Sequence, residues 1–306
     1  MGAADRLGSP ALVLRQAQDE GLSSLSSPHG ELVEPRGRGT DLIRLQRARG
    51  EGRLTTQRLD GRTRLKTFYQ EGAAKIRLPH THDASLQAVL INTAGGLCGG
   101  DDIRWQAEAA AGAMLVLTTQ ACERVYRSMG ENARVSTRLV VGRGARLDWL
   151  PQETILYEGA RLTRSLEVDL ADDATFCAVE AIILGREAMG EDARGAILSD
   201  TWRIRRGGRL IHAEATRLSA DPLERDGLSL LDSAGAFATV LYVGGDAERR
   251  LEPVRALLNG RSGASLMGDR LVVRATADSG LALRRVIAPV VAALSSAGAL
   301  PRLWHL

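Results

Sequence analysis

Hydrophobic and polar residues alternate in several short stretches of the chain, and the clearest helical spacing lies in its C-terminal third. Ala88-Val89-Leu90-Ile91 is a short apolar run that predicts a buried strand. Beyond it, Ile103, Trp105 and Ala107 alternate with Arg104, Gln106 and Glu108, the two-residue period of a half-buried strand. Between the two lies Gly95-Gly96-Leu97-Cys98-Gly99-Gly100-Asp101. Glycines at this density predict a turn where a Cβ would clash, or where another group approaches the backbone closely. A repeat follows. Residues 112–120 (GAMLVLTTQ) align with 144–152 (GARLDWLPQ) at an offset of 32, and 173–180 are a fainter copy 29 further on. Each copy follows a strand-like stretch, at 103–107, 138–141 and 166–170. Such recurrence predicts stacked β-coils or layers, each burying its face on the next.

Phe68 and Tyr69 suit a strand in the segment that ends at Pro79. The runs 201–205 and 209–214, joined by Gly207-Gly208, predict a hairpin. Residues 238–243 and 270–275 read as strands. Leu251, Val254, Leu257 and Leu258 recur at helical spacing before an Asn259-Gly260 stop. Leu283, Val286, Ile287, Val290, Val291 and Leu294 form a second apolar stripe, with a kink or early break expected at Pro289. The expected fold is mainly β, with stacked β-sheet or β-helix-like layers and two helices in the C-terminal region. Residues 1–45, rich in Ser, Pro, Gly and Arg, read as a disordered N-terminal extension, and 46–306 as one β domain.

Composition changes this picture little. The 306 residues are 44% apolar and 25% charged, with a net charge of +3, too balanced to argue for nucleic acid. Cys98, Cys122 and Cys177 form no C-x-x-C pair, so neither a disulfide framework nor a zinc knuckle is expected. No apolar run reaches the roughly 18 residues of a membrane span, and no signal peptide is evident. A cytoplasmic location is expected.

The candidate chemistry is sparse. The glycine cluster invites a phosphate-binding reading, but Asp101-Asp102 stand where a P-loop needs Lys and a hydroxyl, and a strand rather than a helix follows. The competing enzyme reading is a nucleotide or sugar-phosphate site built on this loop and Asp101. His80 and His82 could hold a metal from one loop, or simply lie in a polar turn; His29 reads as a solvated tail residue and His212 as a satisfied sheet histidine. No G-x-S-x-G or H-E-x-x-H is present. Carboxylates beside turns stand out instead, and a series of them lining a polar channel could pass a divalent cation along weakly. Glu153 and Glu180 have apolar neighbours and look least like surface residues.

Four stretches in order, LINTAGGLCGGD (90–101), TTQACERVYRS (118–128), LPQETILYEGA (150–160) and LGREAMGE (184–191), resemble the UreD (UreH) urease accessory proteins. GRTRL (61–65), QEGAAKIRLP (70–79) and LPRLW (300–304) fit the family's two ends. The resemblance implies a non-catalytic metallochaperone scaffold of stacked sheets with two helices. It implies binding to apo-urease and recruitment of UreF and, through it, the GTPase UreG, for nickel insertion into urease. It implies no tightly bound cofactor, only transient nickel, for which Glu153 and Glu180 are the candidate path residues. Gly95, Gly96, Gly99, Gly100 and Asp101 are then a structural loop, and Cys98 is not taken as a nickel ligand.

Overall fold

The structure, a computed structural model, describes residues 47–81, 83–295 and 300–305. The expectations for residues 1–45, His29 and His82 lie outside them. In chain order the strands are β1 (Arg49–Leu59), β2 (Arg62–Gly72), β3 (Ala74–Arg77), β4 (Leu86–Asn92), β5 (Asp102–Ala109), β6 (Met114–Thr119), β7 (Glu123–Val125), β8 (Ala133–Val141), β9 (Arg146–Leu150), β10 (Thr154–Leu156), β11 (Arg161–Leu170), β12 (Thr175–Leu184), β13 (Ile197–Arg206) and β14 (Arg209–Ser219). Then come α1 (Pro222–Asp226), β15 (Ala236–Val243), α2 (Ala247–Leu257), β16 (Ser262–Met267), β17 (Arg270–Ala277) and α3 (Gly280–Leu294).

Two sheets face each other. One has the order β14-β13-β11-β8-β5-β1-β2, the other β16-β17-β15-β12-β9-β6-β4-β3 with β10 and β7 beside it. The sequence repeat is the pairing register itself. Met114 on β6 lies opposite Arg146 on β9, 32 residues on, and Arg146 lies opposite Thr175 on β12, 29 further. The other sheet keeps the same two intervals: Asp102 pairs with Arg134, and Ala133 with Leu162. Each repeat is therefore one coil of a β-solenoid, contributing a strand to each sheet. Stacked turns join them. Gly112 N–H donates to Arg143 O (2.8 Å), and Gly144 N–H donates to an Asp173 carboxylate oxygen (2.9 Å).

The space between the sheets is filled from inward positions of the alternating strands, among them Ile103, Leu115, Leu139, Leu147, Leu166, Phe176 and Trp202. The other face of the ten-stranded sheet carries a second core, where Cys177, Val179, Val240 and Val273 meet Leu283, Ile287, Val291 and Leu294 of α3. β12 is thus covered on both faces, which explains its nearly unbroken apolar run.

The hairpin β13–β14 turns through Gly207 and Gly208, both at positive φ (54° and 79°), the conformation a two-residue hairpin turn demands. Two expectations change. α3 runs through Pro289 to Leu294 without a break. Pro289 and Arg285, whose carbonyl loses its bond to the proline nitrogen, are both on the exposed face, where water can replace that bond. In α2 only Ala247 and Val254 are fully buried, and Leu257 is exposed. The five-residue α1 and strand β16 were not signalled by periodicity. Asp221 caps α1 by accepting from Leu223 N–H (2.9 Å).

Leu147 has no solvent exposure and sits in the repeated coil position between Leu115 and Phe176. Leu147→Ala is expected to cost about 2–5 kcal/mol, read as a lower urea midpoint with the circular-dichroism spectrum of a β protein retained.

Candidate functional site

The four motif stretches are stacked rungs. Leu97 of the glycine loop bridges Val125 in parallel. β7 pairs with β10, placing Val125 opposite Leu156, and β10 pairs with the end of β12, placing Leu156 opposite Leu184. These four side chains make one buried column. Outside it, Tyr126 OH donates to Gly95 O (3.1 Å), Tyr126 and Tyr157 meet edge to face (5.2 Å), and the Arg186 guanidinium lies 4.4 Å from the Tyr157 ring centre.

The glycine loop closes on the protein's own chain. Buried Asp101 accepts from Ala48 N–H (2.8 Å) and Cys98 N–H (2.7 Å), so each carboxylate oxygen holds backbone. Gly95, Gly96 and Gly100 have positive φ, whereas Gly99 does not. Gly99 is required by contact instead: a Cβ there would come within 2.0 Å of Ser128 Oγ and 2.4 Å of Glu131 O. Beside the loop, Asn92 Nδ2 donates to both oxygens of Glu123 (3.2 and 3.3 Å). Burial outweighs that bond and pushes the Glu123 carboxyl up to about 7.

Glu180 and Glu153 are both buried, at 7% and 3% exposure, but they face opposite sides of the ten-stranded sheet. Glu180 points between the sheets, accepting from Trp149 Nε1–H (2.8 Å) and pairing with Arg164 of β11 (2.5 Å). Arg164 also pairs with Asp200 of β13 (2.6 Å) and donates to Thr154 Oγ1 (3.1 Å). Burial works against the Arg164 charge, but Asp200 and Glu180 together outweigh it. Burial also raises the Glu180 carboxyl, against the pull of Arg164. Asp200 Oδ1 and Arg164 Nε are buried without a hydrogen-bond partner. The cluster holds two carboxylates for one guanidinium.

Glu153 points towards α3. Arg284 grips it with two bonds of 2.8 Å, and the Cys122 thiol donates to it (3.3 Å). Burial first, then Glu153, push that thiol up to about 11, so it stays protonated and unreactive near neutral pH. The C-terminal LPRLW folds over this site: Gln152 Nε2 donates to Leu303 O (2.7 Å) and Trp304 Nε1 to Leu150 O (3.1 Å).

Among the described residues, no three His, Cys, Asp or Glu side chains gather as a metal site. No described helix is long and apolar enough to cross a membrane. His212 is buried in β14, 3.6 Å from Glu214. Sequence reasoning missed Arg164 and Asp200. The signal was there: each is a charged residue at the inward parity of an alternating strand, Arg164 between Leu162 and Leu166, Asp200 between Leu198 and Trp202.

Two outcomes follow for the loop. Gly99→Val is expected to lower the melting temperature far more than Gly95→Ala, because a Gly95 Cβ meets nothing within 4 Å and costs only the strain of its positive φ, about 1–2 kcal/mol. Equal melting temperatures would remove the close-contact account. For Glu123, the folded form holds its proton up to about pH 7, whereas the ordinary value is 4.5. Between these values the unfolded chain binds fewer protons, so this group's contribution to stability falls as pH rises from 4.5 to 7. Glu123→Gln is expected to remove that decline, measured by chemical unfolding across the range.

The profile of the family described as "UreD urease accessory protein" matches residues 48–305. The "Urease accessory protein UreD" of Chelativorans sp. is 62% identical over 240 residues, 78% of this chain and 87% of that protein. Its namesakes in Rhizobium etli, at 52% over 240 residues (78% and 88%), and Agrobacterium fabrum, at 48% over 239 (78% and 84%), are similar over the same share. A solenoid whose motif rungs stack in register, matched over residues 48–305, belongs to the UreD family of urease accessory proteins.

Proposed function

We propose that this chain is a non-catalytic scaffold of urease maturation. In this reading it binds apo-urease and recruits the UreF and UreG accessory proteins in the cytoplasm. Nickel is the cargo rather than a resident cofactor, and it passes through the solenoid interior in transit. The observation that carries the path is the buried Arg164–Glu180–Asp200 cluster, in which two carboxylates share one guanidinium and one Asp200 oxygen is left without a partner. Oxygen donors hold nickel less tightly than imidazole or thiolate, which suits transfer rather than storage. Glu153, in an open pocket under α3 beside Cys122, is a second and separate station on the other side of the sheet. The glycine loop has no part in phosphate chemistry in this reading, because Asp101 spends both oxygens on backbone.

The test uses the urease gene cluster expressed with the tagged chain, wild type or variant. The wild type is expected to capture apo-urease and both accessory proteins, and the activated urease to carry its full nickel by mass spectrometry. Asp200→Asn keeps the side-chain shape and leaves Arg164 paired with Glu180, and it is expected to leave capture unchanged while lowering urease nickel several-fold. Glu153→Gln tests the second station separately. A wild-type chain that captures none of the three proteins sinks the scaffold. Full nickel loading with the Asp200→Asn variant removes the interior path.

A further inference from the structure

One edge of the solenoid collects three loops that run from the motif rungs to the seven-stranded sheet and a fourth that leads from β14 of that sheet to β15 of the other. They are residues 126–132, 157–160, 185–196 and 220–234. Polar contacts bind each loop to the next. Ser128 N–H donates to Gly159 O (3.0 Å), Gly195 N–H to Glu158 Oε1 (3.0 Å), and Arg225 Nη1 to Asp192 O (2.8 Å). Arg194 pairs with Asp226 through two bonds of 3.0 and 3.1 Å. The edge is therefore a continuous, braced rim.

What the rim presents is unusual for this molecule. Seven large hydrophobic side chains among the described residues are more than half exposed, and five of them stand here: Met129 (93%), Leu228 (88%), Leu223 (74%), Met189 (70%) and Leu230 (58%). Exposed apolar side chains in this number on one braced set of loops mark a docking site. The charge around them is one-sided. The four loops carry nine carboxylates against four arginines, a formal −5, on a chain whose total is +3. Arg186 and Arg194 pair with rim carboxylates, and Arg261 and Arg47 reach in from outside the loops to Asp232 and Glu131, so part of this excess is offset locally and the remainder faces solvent.

We propose that this rim is a protein-docking surface, and that its occupant is a protein face with an apolar centre ringed by Lys and Arg. The apolar side chains supply the buried centre, and the carboxylate excess supplies steering and orientation. The same excess repels phosphate, so nucleic acid and anionic lipid are unsuited to it. The proposal rests on the scaffold reading for the existence of a partner, but not for where or how the partner docks. It is independent of the interior carboxylates.

The experiment measures binding of purified apo-urease and the purified UreF- and UreG-type proteins of the same gene cluster to the immobilised full chain, at low and high salt. Met189→Ser with Leu228→Ser removes rim apolar surface. Glu131→Lys with Glu187→Lys reverses two exposed rim charges. Leu59→Ser with Leu281→Ser removes exposed apolar surface elsewhere. One partner is expected to bind about tenfold or more weakly to the Met189/Leu228 variant. The same partner is expected to lose salt-sensitive binding to the Glu131/Glu187 variant, and to bind the Leu59/Leu281 variant like wild type. Wild-type binding of every partner by both rim variants overturns the rim proposal and leaves the scaffold standing. A wild-type chain that binds no partner overturns the scaffold, and the rim proposal with it.

Discussion

Register between successive coils is the constraint on which the rest of this structure depends. In a parallel ladder a slip of one residue would send every inward side chain outward. The chain keeps both sheets in step at once: β5, β8 and β11 advance by 32 and then 29 residues, and so do β6, β9 and β12. The three-residue difference is absorbed away from these strands. What lies between them is four residues of tight turn, and the turns stack on one another through backbone bonds. Variation is therefore pushed to the opposite edge, where the motif rungs and the rim loops lie.

This division explains what was legible in the sequence. The coils were readable because their turns use Gly and Ala at recurring places and their strands alternate cleanly. The Gly207-Gly208 hairpin and the α3 stripe were readable for the same local reasons. Pro289 misled because the rule against internal proline assumes a carbonyl that cannot find another partner, and here the affected face is wet. A glycine cluster predicts unusual backbone, which holds for Gly95, Gly96 and Gly100; for Gly99 the reason is an incoming Ser128 and Glu131. Nothing local to the loop announces that neighbour.

The buried charges show the same limit more sharply. Glu153 and Glu180 were both marked by apolar neighbours, and both are buried. The facing of Glu153 was not readable because Pro151 and the short β10 reset the parity after β9, and that of Glu180 because β12 is apolar on both faces. Their partners come from 131 residues away in the case of Arg284, and from other strands of the solenoid in the case of Arg164. Desolvating these ions costs several kcal/mol each, which the pairing only partly offsets. Apolar residues of similar size would fill the space between the sheets without that cost. A solenoid that keeps a guanidinium and two carboxylates at inward positions is giving up stability at positions that its alternation fills mostly with apolar side chains.

The rim repeats this logic on the outside. Exposed Met and Leu side chains cost solubility, and a local carboxylate excess costs self-repulsion, yet the loops bearing them are tightly braced by Arg194, Arg225 and Glu158. Bracing lowers the conformational entropy lost when a surface is engaged. The interior cluster and the rim are connected through the same strands. β12 carries Glu180 and runs into the loop bearing Met189, and β13 carries Asp200 and begins at the loop's other end. β12 belongs to the ten-stranded sheet and β13 to the seven-stranded one, so this single rim loop stands on both sheets, and each of the two ladders must keep its own register to hold its carboxylate in the interior.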